Sequence, residues 1–211
     1  MTAQAPAITE QVSNITSRRN FLRSSLTGLV GVAAGSATLL DTDDAAAAET
    51  VRRSEILLAS FGGGARTLSF KNTHTGEELT TTYWRGGSYE QAALDEINYL
   101  LRDFRTGEVH NINKGLLNLL TAIRRQTGVS APVNIVSGYR SPKTNAMLRR
   151  TRGEGVARQS YHVRGMAIDL RLPGYSTSSI ARQARSMAVG GVGFYSSSDF
   201  VHVDVGPVRT W

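Results

Sequence analysis

The sequence predicts an α+β domain in which a small, mostly antiparallel sheet is flanked by helices. Three observations carry that reading. Apolar residues recur at helical spacing over 89–104 (Ala93, Leu94, Ile97, Leu100, Leu101) and again over 112–127. Short β-branched runs at 133–136, 167–172 and 200–205 have strand character. Helices come first and strands fill the second half, which suits segregated layers better than alternating βαβ units.

The elements follow in order. Residues 1–48 read as an export signal. Ser17-Arg18-Arg19-Asn20-Phe21-Leu22-Arg23 precedes an uncharged stretch of small and apolar residues, 24–40, and Ala45-Ala46-Ala47-Ala48 offers a small-x-small processing site. Paired arginines before such a segment mark a twin-arginine signal. The stretch is too short and too mildly apolar for a permanent span. With no cysteine after it, a lipid anchor is excluded. The expected partner is therefore the twin-arginine export machinery and the expected location the periplasm. That route moves folded proteins, so a metal can be loaded before export.

Residues 49–72 read as a linker and a first hairpin, with strand-like Leu57-Leu58-Ala59 and Thr67-Leu68-Ser69-Phe70 on either side of Gly62-Gly63-Gly64. The main domain is then 73–211. Its first strand is 78–84, rich in Thr and Tyr. Ser88 is placed to cap the helix over 89–104, and Gly128 to end the helix over 112–127. Helices are also expected at 145–150 and 178–188, the latter followed by a turn at Gly190-Gly191-Val192-Gly193.

Composition narrows the chemistry. The 211 residues, 40% hydrophobic and 19% charged, fit one domain of about 150 residues plus a non-globular segment. There is no cysteine, so disulfides, a thiol nucleophile and a thiolate metal site are excluded. Any metal must be held by His and carboxylates. The formal charge is +7; without 1–48 it is 24−3 = 21 basic against 17−4 = 13 acidic residues, or +8. Such a balance fits an anionic partner, or solubility alone.

Three segments concentrate the unusual residues. In Ser160-Tyr161-His162-Val163-Arg164-Gly165-Met166-Ala167-Ile168-Asp169-Leu170, a turn at Gly165 would return His162 beside a strand-borne Asp169. An Asp between Ile168 and Leu170 needs a partner to be buried there. In Asp199-Phe200-Val201-His202-Val203-Asp204, strand alternation puts Phe200, His202 and Asp204 on one side and Val201 and Val203 on the other. Two imidazoles, one carboxylate and an open position make a catalytic zinc site, which then needs a carboxylate to accept a proton. Asp199 and Asp204 both lie near His202. In Val136-Ser137-Gly138-Tyr139-Arg140-Ser141-Pro142, a strand gives way to a helix, and Arg140 can aim a planar cation at a carboxylate or a developing oxyanion. Taken singly, each residue has an ordinary reading: a satisfied His, an Asp bonded to an amide, an Arg in a structural ion pair.

Taken together, Ser-Gly-Tyr-Arg-Ser-Pro (137–142), the run from Ser160 to Leu170, and Gly-Gly-Val-Gly-Phe-Tyr followed by Phe-Val-His-Val-Asp-Val-Gly-Pro (190–207) resemble the murein endopeptidase K-like family. That family, formerly a domain of unknown function, is part of the superfamily of lysostaphin-type enzymes, D-Ala-D-Ala peptidases and hedgehog domains. The resemblance covers 54–211. It implies a hedgehog/DD-peptidase-like fold and Zn2+ held by His162, Asp169 and His202. It also implies Arg140 near the substrate carbonyl and Asp199, three residues before the last His ligand, as general base. Asp204 is the alternative base, or a group that orients a ligand. Ser160 would support substrate or ligands, and Tyr139 and Tyr195 are candidate cleft residues, with packing the other role open to them. His74 and His110 match no metal motif.

The implied activity is hydrolysis of peptidoglycan stem peptides, as an endopeptidase on cross-links that include meso-diaminopimelate. The alternatives are a carboxypeptidase on wall peptides and a zinc-bearing, non-catalytic wall-binding module. Export, and the absence of interleaved aromatic and basic residues, argue against nucleic acid as a partner. The chain is expected to act as a monomer.

Overall fold

The computed structural model of the protein describes residues 42–59, 64–152 and 156–211. The arginine pair and the apolar stretch 24–40 lie outside them. Helix α1 spans Thr42–Ala59 and is followed by strands β1 (Arg66–Asn72), β2 (Glu78–Arg85) and β3 (Ser88–Tyr89). Helices α2 (Gln91–Leu100) and α3 (Lys114–Thr127) lead to β4 (Val133–Ser137) and α4 (Pro142–Arg152). A 3-10 turn (Tyr161–Arg164) precedes β5 (Ala167–Arg171), α5 (Thr177–Met187), β6 (Gly191–Tyr195), β7 (Phe200–Asp204) and β8 (Arg209–Thr210).

The eight strands form one sheet in the order β3-β2-β1-β4-β5-β7-β6-β8. Every pairing is antiparallel except β1 with β4 and β6 with β8. The α+β expectation holds. The sheet nevertheless draws on both halves of the chain, because the parallel β1–β4 pairing ties the first hairpin to the later strands.

Alternation along the strands separates core from site. Leu68 and Phe70, Val133 and Ile135, Ile168 and Leu170, and Val201 and Val203 are buried in one hydrophobic cluster. The same cluster takes Leu116, Leu119, Leu120 and Ile123 of α3 and Ile180, Ala181 and Ala184 of α5. The intervening residues Asp169 and His202, which face each other across β5 and β7, therefore stand on the opposite side of the sheet from α3 and α5.

Several elements depart from their expected form. Leu57-Leu58-Ala59 ends a helix and is not a strand. The residues that α1 buries at a spacing of four are Thr50, Ser54 and Leu58, two of them polar, so the sequence shows no apolar stripe. The first hairpin is β1–β2, and β1 sits between β2 and β4, so a boundary after residue 72 would fall inside that hairpin. Ser88 pairs with Arg85 in β3 and does not cap α2, whose N-cap is Glu90 without a side-chain bond. Gly128 does end α3, in the left-handed conformation at φ 67. The expected turn at 190–193 is largely strand β6.

α1 packs on α3, and a polar cluster holds the junction. Asn118 is fully buried; its Oδ1 accepts from Arg66 Nη1 (2.8 Å) and the Tyr83 hydroxyl (3.1 Å). Its Nδ2 donates to Glu55 Oε1 (2.9 Å) and the Tyr89 hydroxyl (3.1 Å). Asn118→Ala strips a partner from five groups at once, Ser54 Oγ (3.3 Å) being the fifth, and is expected to destabilise the fold by about 3 kcal/mol. Urea unfolding followed by circular dichroism reads this directly, and a loss below about 1 kcal/mol would contradict it.

Candidate metal centre

Three segments of chain meet on the open face of the sheet. Ser160 caps the 3-10 turn, its Oγ accepting from the His162 amide at 3.3 Å. Gly165 ends the turn at φ 65, a left-handed conformation that glycine adopts without strain. The chain then enters β5 two residues ahead of Asp169. As the spacing suggests, His162 is carried back over the strand that bears Asp169, and β7 supplies His202 from the neighbouring position.

The ligand atoms converge closely. His202 Nδ1 lies 2.8 Å from Asp169 Oδ1. His162 Nε2 lies 3.2 Å from the same oxygen and 3.2 Å from His202 Nδ1. Ligands at 2.0–2.1 Å from a tetrahedral metal stand about 3.3–3.4 Å apart, so these three atoms already form nearly one face of such a shell. All three side chains are buried, and together they are the cluster among the described residues that could hold a metal ion.

The remaining ring nitrogens have fixed partners. His162 Nδ1 lies 2.8 Å from the Gly138 carbonyl, and His202 Nε2 lies 3.0 Å from Asp204 Oδ2. A carbonyl can only accept, so His162 donates through Nδ1 and turns the Nε2 lone pair toward the cluster. Asp204 does the same for His202 and leaves Nδ1 to the metal.

Burial and charge set the protonation. Burial disfavours the charged His162 and holds its pKa below the ordinary value, against the attraction of Asp169. Burial also disfavours an ionised Asp169, yet the two imidazoles hold its carboxyl far below the usual range. For His202, burial is outweighed by the bonds to Asp169 and Asp204, which raise it to about 9. In the metal-free protein at pH 7 His202 therefore carries a proton on each nitrogen. A metal held by His162, Asp169 and His202 would replace the proton facing Asp169.

Metal binding at pH 7 is accordingly expected to release about one proton. Titration calorimetry in buffers of different ionisation enthalpy measures it, and the release should vanish above pH 9. Because the folded pKa of His202 is raised, its contribution to metal-free stability is complete below about 6.5 and lost as pH rises through about 9. Metal affinity rises over the same window. No proton release at pH 7 would contradict this assignment.

The cluster opens into a cleft of about 240 Å³. Its lining includes Arg140, Ser160, Tyr161, Tyr195, Arg209 and Trp211. Arg140 Nη2 lies 3.7 Å from Asp169 Oδ2, and its main-chain amide donates to the His162 carbonyl at 3.2 Å. Ser137 Oγ (3.3 Å) and Asn145 Oδ1 (3.5 Å) accept from its guanidinium. Asp103, buried under this strap, accepts from the Ser141 amide at 2.9 Å and fixes the start of α4.

Other expected residues fall elsewhere. Asp199 is not brought to the ligands: its side chain is 72% exposed, accepts from Thr177 Oγ1 at 2.8 Å and pairs with Arg171. It adopts φ 49, which turns it off the alternation of β7. Asp204 is fully buried and engaged on every side, by His202, the amides of Gly191 and Gly206, and both terminal nitrogens of Arg209. Of its two expected roles, the geometry matches orienting His202. Tyr139 is not in the cleft lining and stacks on His110 with ring centroids 4.7 Å apart. Tyr195 lines the cleft, stacked on Phe200 and accepting from Trp211 Nε1 at 2.9 Å. His74 stacks on Phe104, away from the ligands.

Arg209 and Trp211 were not singled out in the sequence. The signal that could have found them is glycine in β6. A Cβ on Gly193, the residue paired with His202, would come within 2.6 Å of the Trp211 ring, and one on Gly191 would strike Asp204 and Arg209.

The profile of the peptidoglycan L,D-endopeptidase MepK family matches residues 61–211. The chain belongs to this family. The Escherichia coli (strain K12) relative, "Peptidoglycan L,D-endopeptidase MepK", is 39% identical over 189 residues, 90% of this chain and 96% of its own length. The Shigella flexneri relative of the same name shows the same identity and coverage. A Haemophilus influenzae relative, "Probable peptidoglycan L,D-endopeptidase MepK", is 42% identical over 147 residues, 69% of this chain and 78% of its own length. No solved structure matches. The MepK match begins before β1 and so takes in the whole sheet.

Proposed function

We propose that this chain is a zinc-dependent peptidoglycan L,D-endopeptidase that opens wall cross-links in the periplasm after twin-arginine export. One observation carries the reading. A buried His162–Asp169–His202 cluster, with its outer nitrogens already bonded, faces an open cleft in a chain whose relatives are named for that activity. Two imidazoles and one carboxylate with a free fourth position suit zinc. When bound there, zinc supplies Lewis acidity toward a carbonyl oxygen and lowers the pKa of water.

The chain's own residues do the rest. The guanidinium of Arg140 stands beside Asp169 at the cleft floor, where it favours charge growing on the oxygen of the scissile carbonyl. Ser160 holds the turn that carries His162. Asp204 keeps His202 in the tautomer that offers Nδ1. Tyr195 and Trp211 form an aromatic wall that positions the peptide and limits water. Asp199 ties the end of the 196–199 turn to Thr177 of α5. Processing at Ala45–Ala48 precedes Thr50, Ser54 and Leu58, so the docking of α1 survives it.

The test is digestion of purified cross-linked muropeptides by the zinc-loaded protein, with products resolved by mass. Dimers should fall to monomers, stop doing so with a chelator, and resume with zinc. Loss of a single terminal residue would instead indicate a carboxypeptidase. Stoichiometric zinc with intact dimers would indicate a wall-binding module.

A further inference from the structure

Two guanidinium groups line the cleft, and they flank the ligand set. Arg140 lies beside Asp169, and Arg209 lies beside Asp204, behind His202. Arg140 has a part in the hydrolysis described above. Arg209 has none beyond its contact with Asp204. Among the cleft-lining residues Asp169 is the sole acid, and His162, His202 and Arg140 already surround it. Each arginine shares its carboxylate with histidine: Arg140 shares Asp169 with His162 and His202, and Arg209 shares Asp204 with His202.

Arg209 is built to meet a further anion. A guanidinium has five N–H donors. Here Nη1 donates to Asp204 Oδ1 and the Pro207 carbonyl, both at 3.1 Å, and Nη2 donates to Asp204 Oδ2 at 2.7 Å. Five less three leaves two donors without an acceptor among the described residues, on a side chain 38% exposed. Its central carbon lies 4.9 Å from the Tyr161 ring centroid and 5.0 Å from that of Trp211. Both rings restrict the fork and keep water from its flanks, which strengthens its attraction for an anion. Asp204 is shared between Arg209 and His202. With a divalent ion bound, two aspartates face two arginines and the ion, and the site is left with two positive charges.

We propose that Arg209 binds a free carboxylate on the substrate residue flanking the scissile bond, so that the cleft selects anionic cross-links over amidated ones. This rests on the endopeptidase reading given above. A planar fork held against aromatic faces pairs with a carboxylate in two-point fashion, and a carboxamide supplies neither the charge nor two acceptors.

The experiment uses two synthetic cross-linked muropeptides that differ at one group: the carboxyl beside the scissile amide is free in one and a carboxamide in the other. The readout is the ratio of their kcat/KM values for the zinc-loaded wild type, Arg209→Lys and Arg209→Gln. The wild type should favour the acid by about ten-fold or more, the Gln variant by close to one-fold, and the Lys variant by an intermediate factor. If Arg209 serves only to hold Asp204, both substrates slow equally and the ratio stays at its wild-type value, which overturns the proposal. A wild type without preference also overturns it. Cleavage of neither substrate by the wild type overturns the endopeptidase reading and this proposal with it. Equilibrium binding of both peptides to metal-free wild type makes the same comparison without any variant: tighter binding of the acid supports the proposal and equal binding overturns it.

Discussion

His202→Ala is expected to abolish stoichiometric metal binding and to lower kcat/KM by more than about 10³-fold, at least 4 kcal/mol of transition-state stabilisation. His202 is the hinge of the cluster. Its Nδ1 meets Asp169 at 2.8 Å and its Nε2 meets Asp204 at 3.0 Å. Without the ring, two buried carboxylates lose their common cationic partner. The metal-free variant should therefore also lose about 3–5 kcal/mol of stability, as when one member of a buried ion pair is removed. Metal analysis, steady-state kinetics and denaturant unfolding read the three effects. Full metal content in the variant would contradict the ligand assignment.

Arg140→Lys is expected to lower kcat by about 10²–10³-fold while leaving metal content unchanged. Arg140 lies 3.7 Å from the outer oxygen of Asp169 and is not a ligand, so the variant keeps the three metal-binding atoms. A lysine retains the charge but not the two-nitrogen fork that reaches Ser137 and Asn145 and presents a flat face to the cleft. The matching readout is kcat at saturating muropeptide beside a zinc determination on the same sample. Loss of zinc in step with activity would show that Arg140 acts by holding Asp169, and would contradict a role at the carbonyl oxygen.

How much of this was legible beforehand depended on the kind of signal. The convergence of His162, Asp169 and His202 is legible because strand alternation and one glycine turn bring the three together. His202 and Asp169 had to share a face once Val201, Val203, Ile168 and Leu170 were assigned to the core, and Gly165 was the place where the chain could reverse. The position of Asp199 is not legible because proximity in sequence carries no direction: its left-handed backbone takes it off the face that His202 and Asp204 share. The docking of α1 is not legible in the sequence because its buried face is largely hydroxyl-bearing. The glycines of β6 suit a turn as well as a strand. They are there to admit Asp204, Arg209 and Trp211 at close range, contacts made by residues 13 to 18 positions away that no local pattern announces.

The most direct test of the account is an anomalous diffraction map of zinc-loaded crystals, collected on either side of the zinc absorption edge. The account predicts one strong peak at bonding distance, about 2.0–2.2 Å, from His162 Nε2, His202 Nδ1 and Asp169, with His202 Nε2 still on Asp204 and Arg140 outside the coordination shell. A zinc peak at other residues, or none at this cluster in protein that contains one equivalent of zinc, would contradict it.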